Sequence, residues 1–247
     1  MPNTWSPEPQ LLESLTRAVP GILSSQKPNG EFGTEPWICR DQNLLLPLAV
    51  AWGLEGSAYH HDATVLDAII SGGDALINDA DEQGRWINRK KDNSTWGPHH
   101  MPWTYSRWVR AYGICREAFP EEARGRWDQA LTLGYGEIAR TRLSHVHNQP
   151  AHQAMGLYRA GQVLQRDDWK QQVSDFMDTV VKAQSPHGWW AEHEGPVVNY
   201  NFVYMEALGA YFSMSNDERV LPALDRAARY HANFTYPDGS PVETVDG

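Results

Sequence analysis

One short turn recurs along this chain of 247 residues. It reads Asn29-Gly30-Glu31-Phe32, Gln83-Gly84-Arg85-Trp86, His187-Gly188-Trp189-Trp190 and Pro237-Asp238-Gly239. Its glycines lie 54, 104 and 51 residues apart. The middle spacing is twice 52, so one unit is expected to have lost its marker near Arg142 to Asn148. A period of this length is too long for a tetratricopeptide and suits a pair of long helices per unit.

Hydrophobic spacing supports the pair. First helices are expected over 42–54, 102–119, 150–163 and 200–214, and second helices over 62–78, 121–143, 167–184 and 217–233. Trp169, Val173, Phe176, Val180 and Val181 recur at helical intervals, as do Val65, Leu66, Ile69, Ile70, Leu76 and Ile77. Asp62 and Asp167 stand where N-caps belong, and Pro150 suits a first turn. Ser215 with Glu218 reads as a capping box ahead of the last helix. No run of clear two-residue alternation is present, so no sheet is expected.

The expected fold class is therefore all-α, with repeated antiparallel helical hairpins forming an incomplete (α/α) toroid. A six-hairpin ring at this repeat length needs about 300 residues. Four hairpins and an N-terminal helix over 9–25 make an arc, so residues 1–247 are expected to be one domain, the N-terminal part of something longer. No Ser/Gly/Pro linker divides it.

Composition narrows the function. There are 21 basic and 31 acidic residues, a net charge of −10, which argues against a nucleic-acid partner because phosphate binding needs a basic face. No window approaches a membrane span, and no secretory leader is visible, so a cytoplasmic location is expected unless a leader has been removed. Cys39 and Cys115 are too few for a disulfide framework or a four-cysteine zinc site, and read as buried free thiols.

The loops before the first helices hold the unusual residues. They include Trp96-Gly97-Pro98-His99-His100-Met101-Pro102-Trp103-Thr104-Tyr105, then His145-Val146-His147-Asn148-Gln149-Pro150-Ala151-His152, then Trp189 to Gly195 and Asn199 to Tyr204. Seven of the ten histidines fall in or beside them. In a toroid these loops meet at one rim, where a cleft would form. Taken singly, each His or Trp reads as a packing or capping residue. Gathered together with Asn and Tyr, they point to a site. His147 with His152, five apart, lacks the spacing of a zinc site, and no metal or other cofactor is expected. There is no nucleophile elbow and no phosphate loop. A hydrolytic carboxylate pair, Glu192 or Glu194 with Asp41 or Glu35, stays open.

Two resemblances attach to these residues. Gln184 to Trp190 and Gln26 to Phe32 resemble the Q-x-x-x-G-x-W turn of triterpene cyclases, which are (α/α) toroids, without their aspartate-rich acid motif. His147-Asn148 with His152, Tyr200 and Tyr204 about one hairpin later, and Glu194-Gly195-Pro196 leading to them resemble the toroid domain of polysaccharide lyases of the alginate-lyase and heparinase II/III type. That resemblance implies β-elimination on a uronic-acid polysaccharide. Asn148 would neutralise the substrate carboxylate, with His147 or Gln149 assisting. Tyr200 or Tyr204 would be the acid and also a candidate base, with His152 as the alternative base. Trp96, Trp103, Trp189 and Trp190 would stack on sugar rings. His100, Arg107 and Glu194 would contact an anionic polysaccharide or oligosaccharide, helped by Arg85, Arg89, Lys90 and Lys91. Departures from the family pattern are Gln149 after Asn148 and Asn201 after Tyr200. Two other functions remain in view: a glycoside hydrolase acting on uronyl oligosaccharides, and a non-catalytic carbohydrate-binding arc.

Overall fold

The computed structural model describes residues 8–33, 39–89, 92–192, 195–240 and 242. The fold is all-α and built of helical hairpins. Nine α-helices run in order among the described residues: α1 (Glu8–Ser24), α2 (Leu45–Gly53), α3 (Ala63–Asp79), α4 (Pro102–Cys115), α5 (Glu121–Thr141), α6 (Asn148–Val163), α7 (Asp167–Lys182), α8 (Val198–Ser215) and α9 (Leu221–Ala232). The chain divides into two compact units, Met1–Gly134 and Tyr135–Gly247, the boundary falling within α5.

In the first unit α2 packs on both α3 and α4; in the second, α6 packs on α7 and α8, and α8 on α9. The helices that follow the loops are the inner ones. On α6, Ala151, His152, Ala154, Met155, Leu157 and Ala160 are all sealed from solvent. Helix α7 instead buries one stripe, Trp169, Val173, Phe176, Met177 and Val180, as its spacing predicts.

The recurrent turn is the organising device. Gly30, Gly84, Gly188 and Gly239 all take the left-handed conformation, with φ from 74° to 94°. Each closes the same pair of backbone bonds: Gly30 N–H to Lys27 O, Gly84 to Asp81 O, Gly188 to Ser185 O and Gly239 to Tyr236 O, each at 2.8–2.9 Å, with a second bond spanning the turn. The aromatic two residues on turns inward. Phe32, Trp86 and Trp190 are buried. The indole N–H of Trp86 donates to Leu76 O at 2.9 Å, and that of Trp190 to Val180 O at 2.8 Å, each ten residues back.

Buried and half-buried amides hold the turn from both sides. Gln26 Nε2 donates to Gly30 O (3.2 Å) and Ala68 O (2.9 Å); Gln184 Nε2 donates to Gly188 O (3.3 Å) and Ala223 O (2.9 Å). From the inner helix side, Gln42 accepts from Phe32 N–H at 2.7 Å and donates to Gly30 O at 3.2 Å. Asn201 accepts from Trp190 N–H at 3.1 Å and donates to Gly188 O at 3.4 Å. Its amide also donates to Nε2 of His231 at 3.0 Å; burial lowers the pKa of that imidazole, which keeps it neutral and able to accept. Asn201 is thus the counterpart of Gln42, a scaffold residue.

Several expectations are corrected. Two short antiparallel ribbons exist: β1 (Trp86–Arg89) with β2 (Thr95–His99), and β3 (Ala191–Glu192) with β4 (Gly195–Pro196). Their strands are too short to show alternation, and β2 is interrupted by Gly97 at φ 73°. The last hairpin has no Ser215 capping box. Helix α8 runs through Ser215, Asn216 ends it in the left-handed region, and Asp217 caps the next turn by accepting from Arg219 N–H at 3.2 Å. Asp167 lies inside α7, and Arg166 takes the N-cap position. Asp62 does cap α3, accepting from Val65 N–H at 3.0 Å. Cys39 and Cys115 are free and buried, and burial pushes both thiols up to about 12.

A Cβ built on Gly188 would sit 2.2 Å from the backbone oxygen of Arg226, whereas one on Gly97 meets nothing within 4 Å. Gly188→Ala should therefore destabilise the protein by about 3 kcal/mol, while Gly97→Ala, strained in φ alone, should cost about 1 kcal/mol. Chemical denaturation midpoints of the two variants check the difference; equal losses would remove the close approach as the cause.

Candidate functional site

The second unit brings three separated segments together around one carboxylate. Glu192, on β3, is only 1% exposed. Its Oε1 accepts from the Asn148 backbone N–H at 3.2 Å and from the Tyr204 hydroxyl at 3.1 Å. Its Oε2 lies 3.0 Å from Nε2 of His147. Among the described residues Oε2 accepts no hydrogen bond of ordinary geometry.

Local structure explains the convergence. Trp190 anchors the strand through its indole bond and stacks on Tyr204, ring centroids 4.9 Å apart and planes 12° apart. Strand alternation then turns Ala191 outward and Glu192 inward. Helix α6 begins at Asn148, and its N-cap residue, His147, makes no side-chain cap bond. Glu192 supplies the missing acceptor from across the fold. It satisfies an otherwise orphan N–H and places negative charge at the positive end of a helix dipole. Asn148 is therefore the first helical residue rather than the cap.

The cluster grades from sealed to open. Tyr204 is 0% exposed, and burial, then the nearby Glu192 charge and its hydrogen bond, push the phenol pKa well above its ordinary value. That phenol stays protonated and donates to Glu192, so it does not present its oxygen to a substrate or act as a base. His152 is likewise 0% exposed, its Nε2 3.6 Å from Glu206 Oε2. Trp190 offers no face to a sugar because both its ring and its N–H serve the core. The open groups are His147, its side chain 38% exposed, and Tyr200, 42% exposed, one turn before Tyr204 on α8. Gln149 and Trp189 are half-buried.

Other expected site residues belong to the first unit. Trp96 on β2 is 60% exposed, and Trp103 and Arg107 on α4 are half-buried, with Arg107 donating to Trp103 O at 3.4 Å. His100 is buried, its Nε2 2.9 Å from Gln83 O, and so braces the second turn. Glu194 lies outside the described residues, as do Glu35, Lys90 and Lys91. A cavity of about 360 Å³ in this unit is lined by Trp86, Tyr105, Trp108, Leu133, Asp81 and Arg126. Its two charged residues are already paired, Asp81 with Arg85 and Arg126 with Asp74. Among the described residues, no group of three His, Cys, Asp or Glu side chains could hold a metal ion, and no helix is long and apolar enough to cross a membrane.

Sequence reasoning named Glu192 only as a possible hydrolytic acid and missed it as the hub. The available signal was its place two residues after the turn tryptophan. Asn88 holds that place after Trp86, and both side chains are buried.

The architecture defines an all-α, (α/α)-toroid type of helical-hairpin protein. It is similar to a solved structure of cellobiose 2-epimerase from Bacillus thermoamylovorans B4167, with a TM-score of 0.55 and 13% identity over 85% of this chain and 67% of that one. No protein-family model and no curated protein sequence matches the chain.

Burial raises the pKa of Tyr204 and of Tyr105, Tyr112, Tyr211 and Tyr230. A phenol raised in the folded state contributes stability that is full below its unfolded pKa, near 10, and is lost as pH rises through the folded value. Stability should thus fall steeply above about pH 10. Tyr204→Phe, folded at neutral pH, should show a shallower fall. Denaturation midpoints measured from pH 7 to 11 check this, and an unchanged slope in the variant would contradict it.

Proposed function

We propose that this protein is a carbohydrate-active enzyme that moves a proton at a sugar carbon, and that it cleaves a uronic-acid-containing polysaccharide by β-elimination. The observation that carries the reading is the meeting of the His147-Asn148 loop and α8 at a buried carboxylate, with one imidazole and one phenol left open at its edge. Similarity to an epimerase supports a saccharide substrate.

The chemistry assigns roles. A proton beside a carboxylate is weakly acidic until the negative charge on that carboxylate is offset. The side-chain amides of Asn148, 4% exposed, and of the half-buried Gln149 are assigned to the uronate carboxylate. His147 then takes the C5 proton, a C4–C5 double bond forms, the C4–O bond breaks, and Tyr200 protonates the leaving oxygen. Tyr204 and His152, both sealed, stand behind these groups. The half-buried Trp189 remains as a stacking surface for a sugar ring.

A second reading is favoured by the structural neighbour. Epimerisation beside a sugar carbonyl also begins with proton removal, but the proton returns and no bond to a neighbouring sugar breaks. The two readings separate in one experiment. The protein is incubated in deuterated water with a panel of uronate polymers and with neutral disaccharides. Elimination gives an ultraviolet-absorbing unsaturated uronate. Epimerisation gives deuterium at carbon with no new absorbance. Under the elimination reading, Asn148→Ala should lower the rate about 10²–10³-fold with the circular dichroism unchanged. Full activity in that variant would refute the assignment of Asn148.

A further inference from the structure

The first and last helical hairpins share one scaffold, and their comparison isolates what the site adds. Gln42 and Asn201 brace their turns in the same way. Three residues after Gln42 stands Leu45, and three after Asn201 stands Tyr204; both are 0% exposed. Two residues after the turn tryptophan, Asn88 carries a neutral amide where Glu192 carries a carboxylate. The first hairpin is thus built with an aliphatic side chain three residues after its bracing amide, and the second carries a buried amide two residues after its turn tryptophan. One oxygen of the Glu192 carboxylate completes the start of α6 and holds Tyr204; what the other oxygen does is left to its surroundings.

Tyr204 and the Asn148 N–H both occupy Oε1, which fixes the carboxyl plane. Oε2 remains, buried, without a well-directed donor among the described residues, and 3.0 Å from Nε2 of His147. Catalytic hydrogen bonds of this kind are often poorly aligned without substrate and tighten in the complex. A carboxylate accepts only, so the imidazole nitrogen facing it must carry the proton.

We propose that Glu192 is a positioning residue that holds His147 as the Nε2–H tautomer, leaving the Nδ1 lone pair as the base. In the step, Nδ1 takes the substrate proton, the imidazole becomes cationic, and the Glu192 carboxylate stabilises it without itself taking the proton. Tyr204 holds the carboxylate in line. This rests on the assignment of His147 as base in the preceding reading, yet the tautomer can be measured without any turnover.

The test uses the full chain labelled with ¹⁵N-histidine. The His147 signals, assigned by comparison with His147→Gln, should show predominantly the Nε2–H tautomer. Glu192→Gln, nearly isosteric, should shift the population toward Nδ1–H. On any polymer that is cleaved, its kcat should fall about 10²–10⁴-fold with KM within about threefold. Should Glu192→Gln not fold, Tyr204→Phe serves, with a smaller tautomer shift and a kcat loss of about tenfold. A predominant Nδ1–H tautomer in the parent protein, or a tautomer indifferent to the foldable variant, overturns the proposal. The expected tautomer with no cleavage of any polymer upholds the positioning role and refutes the lyase reading.

Discussion

Most of the fold depends on one polar arrangement: a left-handed glycine whose carbonyl is gripped by buried and half-buried amides. Gly30 O receives Gln26 from one side and Gln42 from the other, and Gly188 O receives Gln184 and Asn201. Each amide also reaches a neighbouring element, so a single turn ties the preceding helix end, the inner helix and the outer helix together. Sealed amides are stable only when their donors and acceptors are matched. Matching of this kind selects one geometry, which general hydrophobic burial of leucines and alanines along α2 or α6 does not do.

The same arrangement shows how a site can be added to a repeating scaffold. The turn tryptophan points inward, and the short strand after it alternates outward and inward. The second inward place is buried beside the first residues of an inner helix. In the second hairpin the place holds Asn88, a buried neutral amide. With Glu192 there, it becomes a charge buried at the positive end of α6, next to an open imidazole. The turn is shared, and the side chain two residues after its tryptophan is what differs.

Much of this was legible in the residues. The turns were legible from their period, and at Gly30, Gly84 and Gly188 from the aromatic two residues on. The stripes on α3 and α7 announced outer helices. The gathering of His147, Asn148 and Tyr204 followed from the order of hairpins. Burial was not legible in the same way. Trp190 and Trp189 look alike as neighbours, yet one is core and one half-open, because a two-residue strand decides which way each points. Tyr204 and Tyr200 lie one turn apart on one helix, and only packing against Trp190 and Glu192 separates a sealed phenol from an exposed one. Asn201 stood in the sequence only as a departure from the family pattern, and its bonds make it the partner of Gln42 in kind. The ribbons escaped notice because two to five residues carry no usable period.

Trp190 belongs to both systems at once. Its indole ties the turn to the end of α7, and its ring lies flat against Tyr204. A change at this one side chain would loosen the end of α7 and release the phenol behind it in the same stroke.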